Sequence, residues 1–291
     1  MKLIKYIFEA TFIYTLFFLI KVLGLNMGRN ISSFLFSKIG FFFRPKKLVR
    51  KNILRVFPNY SDKEIKNLTK SMWSNYGCVF AEYIFLYKFR LNKFSKSHIH
   101  ILGKEMLDQI ASSKKPVIFI SGHLGNFELM AMELEKCNID LAAIYRPLNN
   151  FFLDPFMVFL RKKYICKNQI KKGIKGTREV MNYIKKNHSI ALMVDQRVGE
   201  SDRYPFFKLP AHTTTIPAQL ALKFNCPIVP IYLERKGDNS FKMEILNPIK
   251  IDKTNNQEED KKMITKKINQ IMEEMILKNP GQWIWTHNRW K

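Results

Sequence analysis

From about residue 100 the chain alternates short apolar runs with amphipathic stretches, the pattern of an α/β sheet. Strands are expected at 116–121, 140–145, 189–195, 227–233 and 241–246, with helices between them at 126–136, 150–164, 175–186 and 216–224. A last helix is predicted from about 258 to 278: Ile264, Ile268, Ile271, Met275 and Ile276 fall on one face, and Pro280 and Gly281 stop it. Upstream, Ser61 and Glu64 form an S-x-x-E capping signature. Ile65, Leu68, Met72, Tyr76, Val79, Tyr83 and Tyr87 then recur at helical spacing, which predicts a long amphipathic helix.

The N-terminal pattern is different. Residues 3–25, LIKYIFEATFIYTLFFLIKVLGL, are long enough to cross a bilayer at about 1.5 Å per residue, but Lys5, Glu9 and Lys21 interrupt them. Lys5 and Glu9 are one turn apart and can pair, and Lys21 can snorkel, so spanning and lying flat both remain open. No small-residue cleavage site follows, which disfavours a secretory signal. Arg29, Lys38, Arg44, Lys46, Lys47, Arg50, Lys51 and Arg55 follow this segment, against Lys2 and Lys5 before it, so the positive-inside rule puts the bulk of the protein in the cytoplasm. Interleaved with Phe41, Phe42 and Phe43, these cations would hold the body against an anionic membrane surface; a solvated basic loop has the same composition. The expected organisation is an anchor over 1–28, a helical basic lead-in over 29–98 and a catalytic α/β domain over 99–291.

Composition narrows the partners without choosing among them. The 291 residues carry a net charge of +25, which suits nucleic acid, acidic phospholipid or an acidic carrier protein. Cys78, Cys137, Cys166 and Cys226 show no C-x-x-C pair and no metal spacing, and are read as reduced thiols in a cytosolic redox environment.

The segment PVIFISGHLGNFELM puts His123 just after a predicted strand, in a turn marked by Gly122 and Gly125, with Glu128 five residues on. On a continuous helix five residues turn the side chains about 140° apart, so the pair is useful only if His123 sits in the turn. Glu128 could then reach back to one ring nitrogen and leave the other free as a general base. The spacing alone is equally that of a turn histidine and a glutamate at a helix N-terminus. Residues 171–177, KKGIKGT, lack the G-x-x-x-x-G-K-[ST] spacing, and a nucleotide site is rejected.

Further segments occur in an ordered set: GHLGNFE at 122–128, YRPLNN at 145–150, ALMVDQ at 191–196, PFFKLPA at 205–211, ALKFNCPIVP at 221–230 and the terminal WIWTHNRWK. With the apolar N-terminus they cover nearly the whole chain. On these segments the chain resembles the late acyltransferases of lipid A biosynthesis, within the H-x-x-x-x-D/E acyltransferase superfamily. The resemblance implies a mixed sheet flanked by helices, of the glycerol-3-phosphate acyltransferase-like kind, behind a membrane-anchoring helix. It further implies that His123, oriented by Glu128, deprotonates a hydroxyl of a Kdo-bearing lipid A precursor. That hydroxyl attacks the thioester of an acyl carrier protein at the cytoplasmic face of the bacterial inner membrane, with no metal or cofactor and no nucleic-acid partner. Arg146 is the candidate to bind a phosphate or steady the oxyanion. Asp195 and Gln196 would fix the acceptor sugar or the Arg146 guanidinium, or simply cap a turn. Another glycolipid or a lysophospholipid is the alternative acceptor, and a noncatalytic basic membrane-surface or RNA-binding protein is the alternative outside the class. Lys208 stands where the family usually has glycine, and Trp283, Trp285, Trp290 and His287 are expected to be structural or interfacial.

Overall fold

The computed structural model describes residues 2–42, 44–199 and 201–291, so Phe43 of the aromatic run lies outside the described residues. The chain opens with helices α1 (Lys2–Leu23) and α2 (Leu25–Ile39). Helices α3 (Lys46–Val56), α4 (Asp62–Glu82) and α5 (Leu86–Arg90) follow, so most of the basic run is helical. The predicted capping box forms: the Ser61 hydroxyl accepts the Glu64 N–H, and the Glu64 carboxylate accepts the Ser61 N–H.

The α/β part runs β1 (Ile99–Leu102), α6 (Lys104–Ser113), β2 (Ile118–Ser121), α7 (Glu128–Lys136), β3 (Leu141–Tyr145), α8 (Asp154–Leu160), β4 (Asn168–Lys171), α9 (Ile174–Lys185) and β5 (Ser189–Met193). It continues through β6 (Arg203–Phe206), β7 (Leu209–His212), α10 (Ile216–Phe224), β8 (Ile228–Arg235), β9 (Phe241–Ile245) and α11 (Gln257–Lys278). Seven strands form one sheet in the order β1-β9-β8-β2-β5-β3-β4, parallel throughout except where β8 meets β9; β6 and β7 make a separate antiparallel hairpin. The expected mixed sheet is therefore present. The five strands foreseen from apolar runs are its interior. The two that were not foreseen, β1 and β4, are its edges, where one side of the strand stays solvated and His100, Asn168, Gln169 and Lys171 break any apolar run.

Strand β2 is buried along its whole length, and its alternation feeds two cores. Phe119 packs with Leu129, Met132 and Leu134 of α7, while Ile118 and Ile120 pack with Val180 and Ile184 of α9 and Ala218 of α10. Helices thus cover both faces, and the carboxyl ends of β2, β3 and β5 share one edge. The expected helix over 150–164 is α8 followed by a π-helical turn, Arg161–Ile165. Three of the cysteines are buried and Cys137 is half-buried; all four are free thiols.

Candidate active site

Ser121, the last residue of β2, lies opposite Met193, the last of β5. Two residues beyond each strand come His123 and Asp195, so parallel register brings together side chains 72 positions apart in sequence. His123 Nδ1 is 2.8 Å from Asp195 Oδ1, and the His123 backbone N–H donates to Asp195 Oδ2 at 2.9 Å. The Trp283 indole N–H donates to that same oxygen at 2.8 Å. Asp195 is 1% exposed. Burial alone would raise its carboxyl pKa, but the His123 ring and these N–H donors prevail and hold it down to about 2. An ionised carboxylate can only accept, so Nδ1 carries the proton and Nε2 presents its lone pair. The Gln196 amide sits 3.4 Å from Nε2.

The turn itself is held from several sides. A Cβ on Gly122 would come 2.5 Å from Met272 Cε, the end of a flexible side chain, and 3.4 Å from the Asp195 side chain, so a larger residue here requires Met272 to shift. Gly125 has φ 54°, and its carbonyl accepts the Asn75 amide at 2.9 Å. The Asn126 amide donates to Glu82 Oε2 at 2.8 Å. Glu82, fully buried, also takes Arg29 at 2.6 Å and both Nη1 and Nη2 of Arg235, the latter at 2.8 Å.

Glu128 departs from the expectation. Its carboxylate does not supply the partner of His123 Nδ1; it accepts Arg161 Nη2 at 2.7 Å, Arg161 Nε at 3.0 Å and the Tyr83 hydroxyl. The reason is local geometry. Glu128 is the first residue of α7 and faces the π-helical turn and the end of α4, while the turn before it delivers His123 toward β5. Asp195, foreseen as a partner of sugar or of Arg146, takes the orienting position instead.

A cavity of about 260 Å³ reaches His123, Glu128, Arg146 and Gln196. It also reaches Arg161, Lys172, Arg197 and His287. Its apolar wall includes Phe127, Met130, Ala143 and Ile165. Arg197 Nε and Arg161 Nη1 are buried and have no hydrogen-bond partner among the described residues. Partial burial first, and then the Arg146 charge, push the Lys172 ammonium below the usual lysine range. Unmatched donors and crowded cations around one hollow are chemically suited to an anion. Two roomier depressions, of about 710 and 690 Å³, lie beside α2, α4 and the 279–282 turn, and along 92–101; neither includes His123.

Trp283, Arg161, Lys172 and Arg197 are the contributors that reading along the sequence did not select. Trp283 had a signal, since it begins the terminal motif. Trp283, Trp285 and Trp290 are all buried, and their indole N–H groups bond Asp195, the Pro280 carbonyl and the Phe206 carbonyl, so they are internal rather than interfacial. His287 Nδ1 accepts the Arg197 N–H at 3.5 Å.

The family described as bacterial lipid A biosynthesis acyltransferase matches residues 2–291. The chain belongs to this family. Among its relatives, the lipid A biosynthesis palmitoleoyltransferase of Escherichia coli (strain K12) is 23% identical over 277 residues, covering 92% of this chain and 88% of the relative. The lipid A biosynthesis lauroyltransferase of the same strain is 22% identical over 255 residues, covering 86% and 80%. A lipid A biosynthesis acyltransferase of Haemophilus influenzae (strain ATCC 51907 / DSM 11121 / KW20 / Rd) is 25% identical over 266 residues, covering 88% and 81%. As a member of this family the protein is an acyltransferase, and its apolar α1 is consistent with membrane association.

Proposed function

We propose that the protein transfers a fatty acyl chain from an acyl carrier protein thioester to a hydroxyl of a Kdo-bearing lipid A precursor, with His123 as the general base. The observation that carries this reading is the His123–Asp195 pair, which leaves the lone pair on Nε2, beside the cavity and within reach only of the weak 3.4 Å contact from the Gln196 amide. Nε2 takes the proton of the acceptor hydroxyl as its oxygen attacks the thioester carbonyl. The new C–O bond forms, the C–S bond breaks, and the proton passes from the imidazolium to the departing thiolate. Asp195 fixes the ring and stabilises its cationic form, the role the sequence suggested for Glu128. Glu128 acts instead by holding Arg161 at the cavity wall, where its unpartnered Nη1 can meet the oxyanion.

Arg146, Lys172 and Arg197 make the cavity suited to a phosphate of the acceptor. The palmitoleoyl and lauroyl transfer for which the two Escherichia coli relatives are named supports a fatty acyl donor. In this reading residues 1–28 anchor the chain, 29–98 form the basic lead-in, and the catalytic part, 99–291, works at the cytoplasmic face of the inner membrane.

The test is acyl transfer from an acyl carrier protein thioester to a Kdo-linked lipid A precursor in detergent, comparing wild type with His123→Ala. Product from wild type alone is expected. Equal product from both would remove His123 from the chemistry, and transfer only to a lysophospholipid or another glycolipid would replace the acceptor.

A further inference from the structure

Helix α1 is long and apolar enough to cross a membrane, and its 22 residues reach about 33 Å. Yet one face is occupied nearly from end to end. The Asn150 amide donates to the Tyr6 carbonyl at 2.9 Å and to the Glu9 carboxylate at 3.3 Å, and the Tyr6 ring meets Phe151 edge-on. The Tyr14 hydroxyl donates to the Phe152 carbonyl at 2.8 Å, and Phe17 stacks on Phe80 with centroids 4.9 Å apart. Lys21 Nζ ends the series 4.1 Å above the Tyr87 ring.

From Tyr6 to Lys21 the helix rises about 22 Å, and over that whole distance it is clamped to the 150–152 turn, α4 and α5. In hydrocarbon the peptide groups of such a turn would have nothing to bond. A helix fixed to it cannot pass through the bilayer core without dragging that turn, and the body behind it, along.

The opposite face points to a different placement. Ile4, Phe8, Phe18 and Val22 are each more than two-thirds exposed and share that side of α1. Met27, Ile31, Phe34 and Leu35 form an exposed stripe on α2, whose other side, with Gly28, Arg29 and Ser32, is buried. Phe151 and Phe159 add exposed rings from the segment that clamps α1. Ammonium groups stand over aromatic rings along this surface: Lys38 5.7 Å from Phe34 and Lys163 5.3 Å from Phe159. Exposed apolar rings with cations reaching past them match acyl chains below and anionic headgroups above. The clamping segment also begins just after Arg146 and ends just before Arg161, both of which line the cavity.

We propose that the protein is monotopic: α1 lies in the plane of one leaflet of an anionic phospholipid bilayer, the outer face of α2 with Phe151 and Phe159 sinks in beside it, and the cavity opens next to that leaflet. This placement is independent of the acyl-transfer reading, and its test requires no turnover. Two measurements on the full chain decide it. In the first, Lys2→Cys is exposed to a membrane-impermeant maleimide on intact spheroplasts, with wild type as the control for the four native thiols. Labelling only after the spheroplasts are opened is expected; labelling of intact spheroplasts would mean that α1 crosses, and would overturn the proposal. In the second, Phe8→Trp, Phe34→Trp and Phe151→Trp are bound to vesicles of phosphatidylethanolamine and phosphatidylglycerol with dibrominated acyl chains. All three added tryptophans should lose fluorescence relative to wild type. Loss at Phe8→Trp alone would make α1 a simple tether, and loss at none would remove the membrane face; either result overturns the proposal.

Discussion

A single hydrogen bond decides which nitrogen of His123 is basic. With Asp195 accepting from Nδ1, the proton is fixed there and Nε2 keeps the lone pair that the proposed base needs; an amide in its place can turn its N–H to the ring and favour the opposite tautomer. Asp195→Asn is therefore expected to lower kcat about 10²- to 10⁴-fold with a much smaller change in KM, read from steady-state acyl transfer. An unchanged kcat would show that ring orientation does not limit the reaction. His287 offers a second measurement at this scale. Burial lowers its pKa most, with the Asp195 charge opposing and the His123 charge assisting, and the balance falls from 6.5 to about 4. Native and unfolded chains are both neutral at this site above pH 6.5, so its contribution to stability is complete there. As the pH drops from 6.5 toward 4 the unfolded chain takes up a proton that the native state refuses, and up to ~3 kcal/mol is lost. Melting temperatures across that range should fall less steeply for His287→Gln than for wild type; parallel curves would contradict the assignment.

At the scale of an element, the β6–β7 hairpin explains the Lys208 departure. Phe207 and Lys208 occupy its two-residue turn with φ of 50° and 62°, the left-handed pair of a type I′ connection. The hairpin keeps the shape that a glycine would favour, and the side chains bear the strain. It is anchored by the Phe207 N–H donating to Glu273 of α11 at 2.8 Å. Lys208→Gly relieves about 1 kcal/mol of left-handed strain and returns roughly half of that as unfolded-chain entropy. A net stabilisation of about 0.5 kcal/mol is expected as a higher denaturant midpoint at constant m, and a lower midpoint would refute the turn assignment.

Across the whole molecule, Glu82 joins parts distant in sequence. Its carboxylate binds Arg29 of α2, Arg235 of β8 and Asn126 of the His123 turn, so α2, the sheet and that turn meet at one buried charge. Removing that charge leaves two buried guanidinium groups unmatched. Glu82→Ala is expected to cost about 3–5 kcal/mol in denaturant unfolding, and the triple change Arg29→Met, Glu82→Leu and Arg235→Met less than that single change. Equal or greater loss in the triple variant would show that packing, rather than charge matching, dominates here.

Hydrophobic periodicity by itself determined the α/β class, the five interior strands and the Ser61-capped helix, because these depend on local patterns that a buried strand or an amphipathic helix must carry. The ordered motifs picked out His123, Glu128, Arg146, Asp195 and Gln196, and four of these line one cavity, with Asp195 bonded directly to His123. Pairing was beyond that reading. Glu128 is close to His123 in sequence but starts a helix that turns its carboxylate to Arg161, whereas Asp195 reaches His123 only because β2 and β5 are parallel neighbours in a fixed register. Edge strands β1 and β4, solvated on one side, carry no apolar run to announce them. Whether α1 stands free or lies clamped against the body likewise depended on tertiary structure, since both arrangements require the same apolar residues and only the contacts of Tyr6, Tyr14 and Phe17 distinguish them.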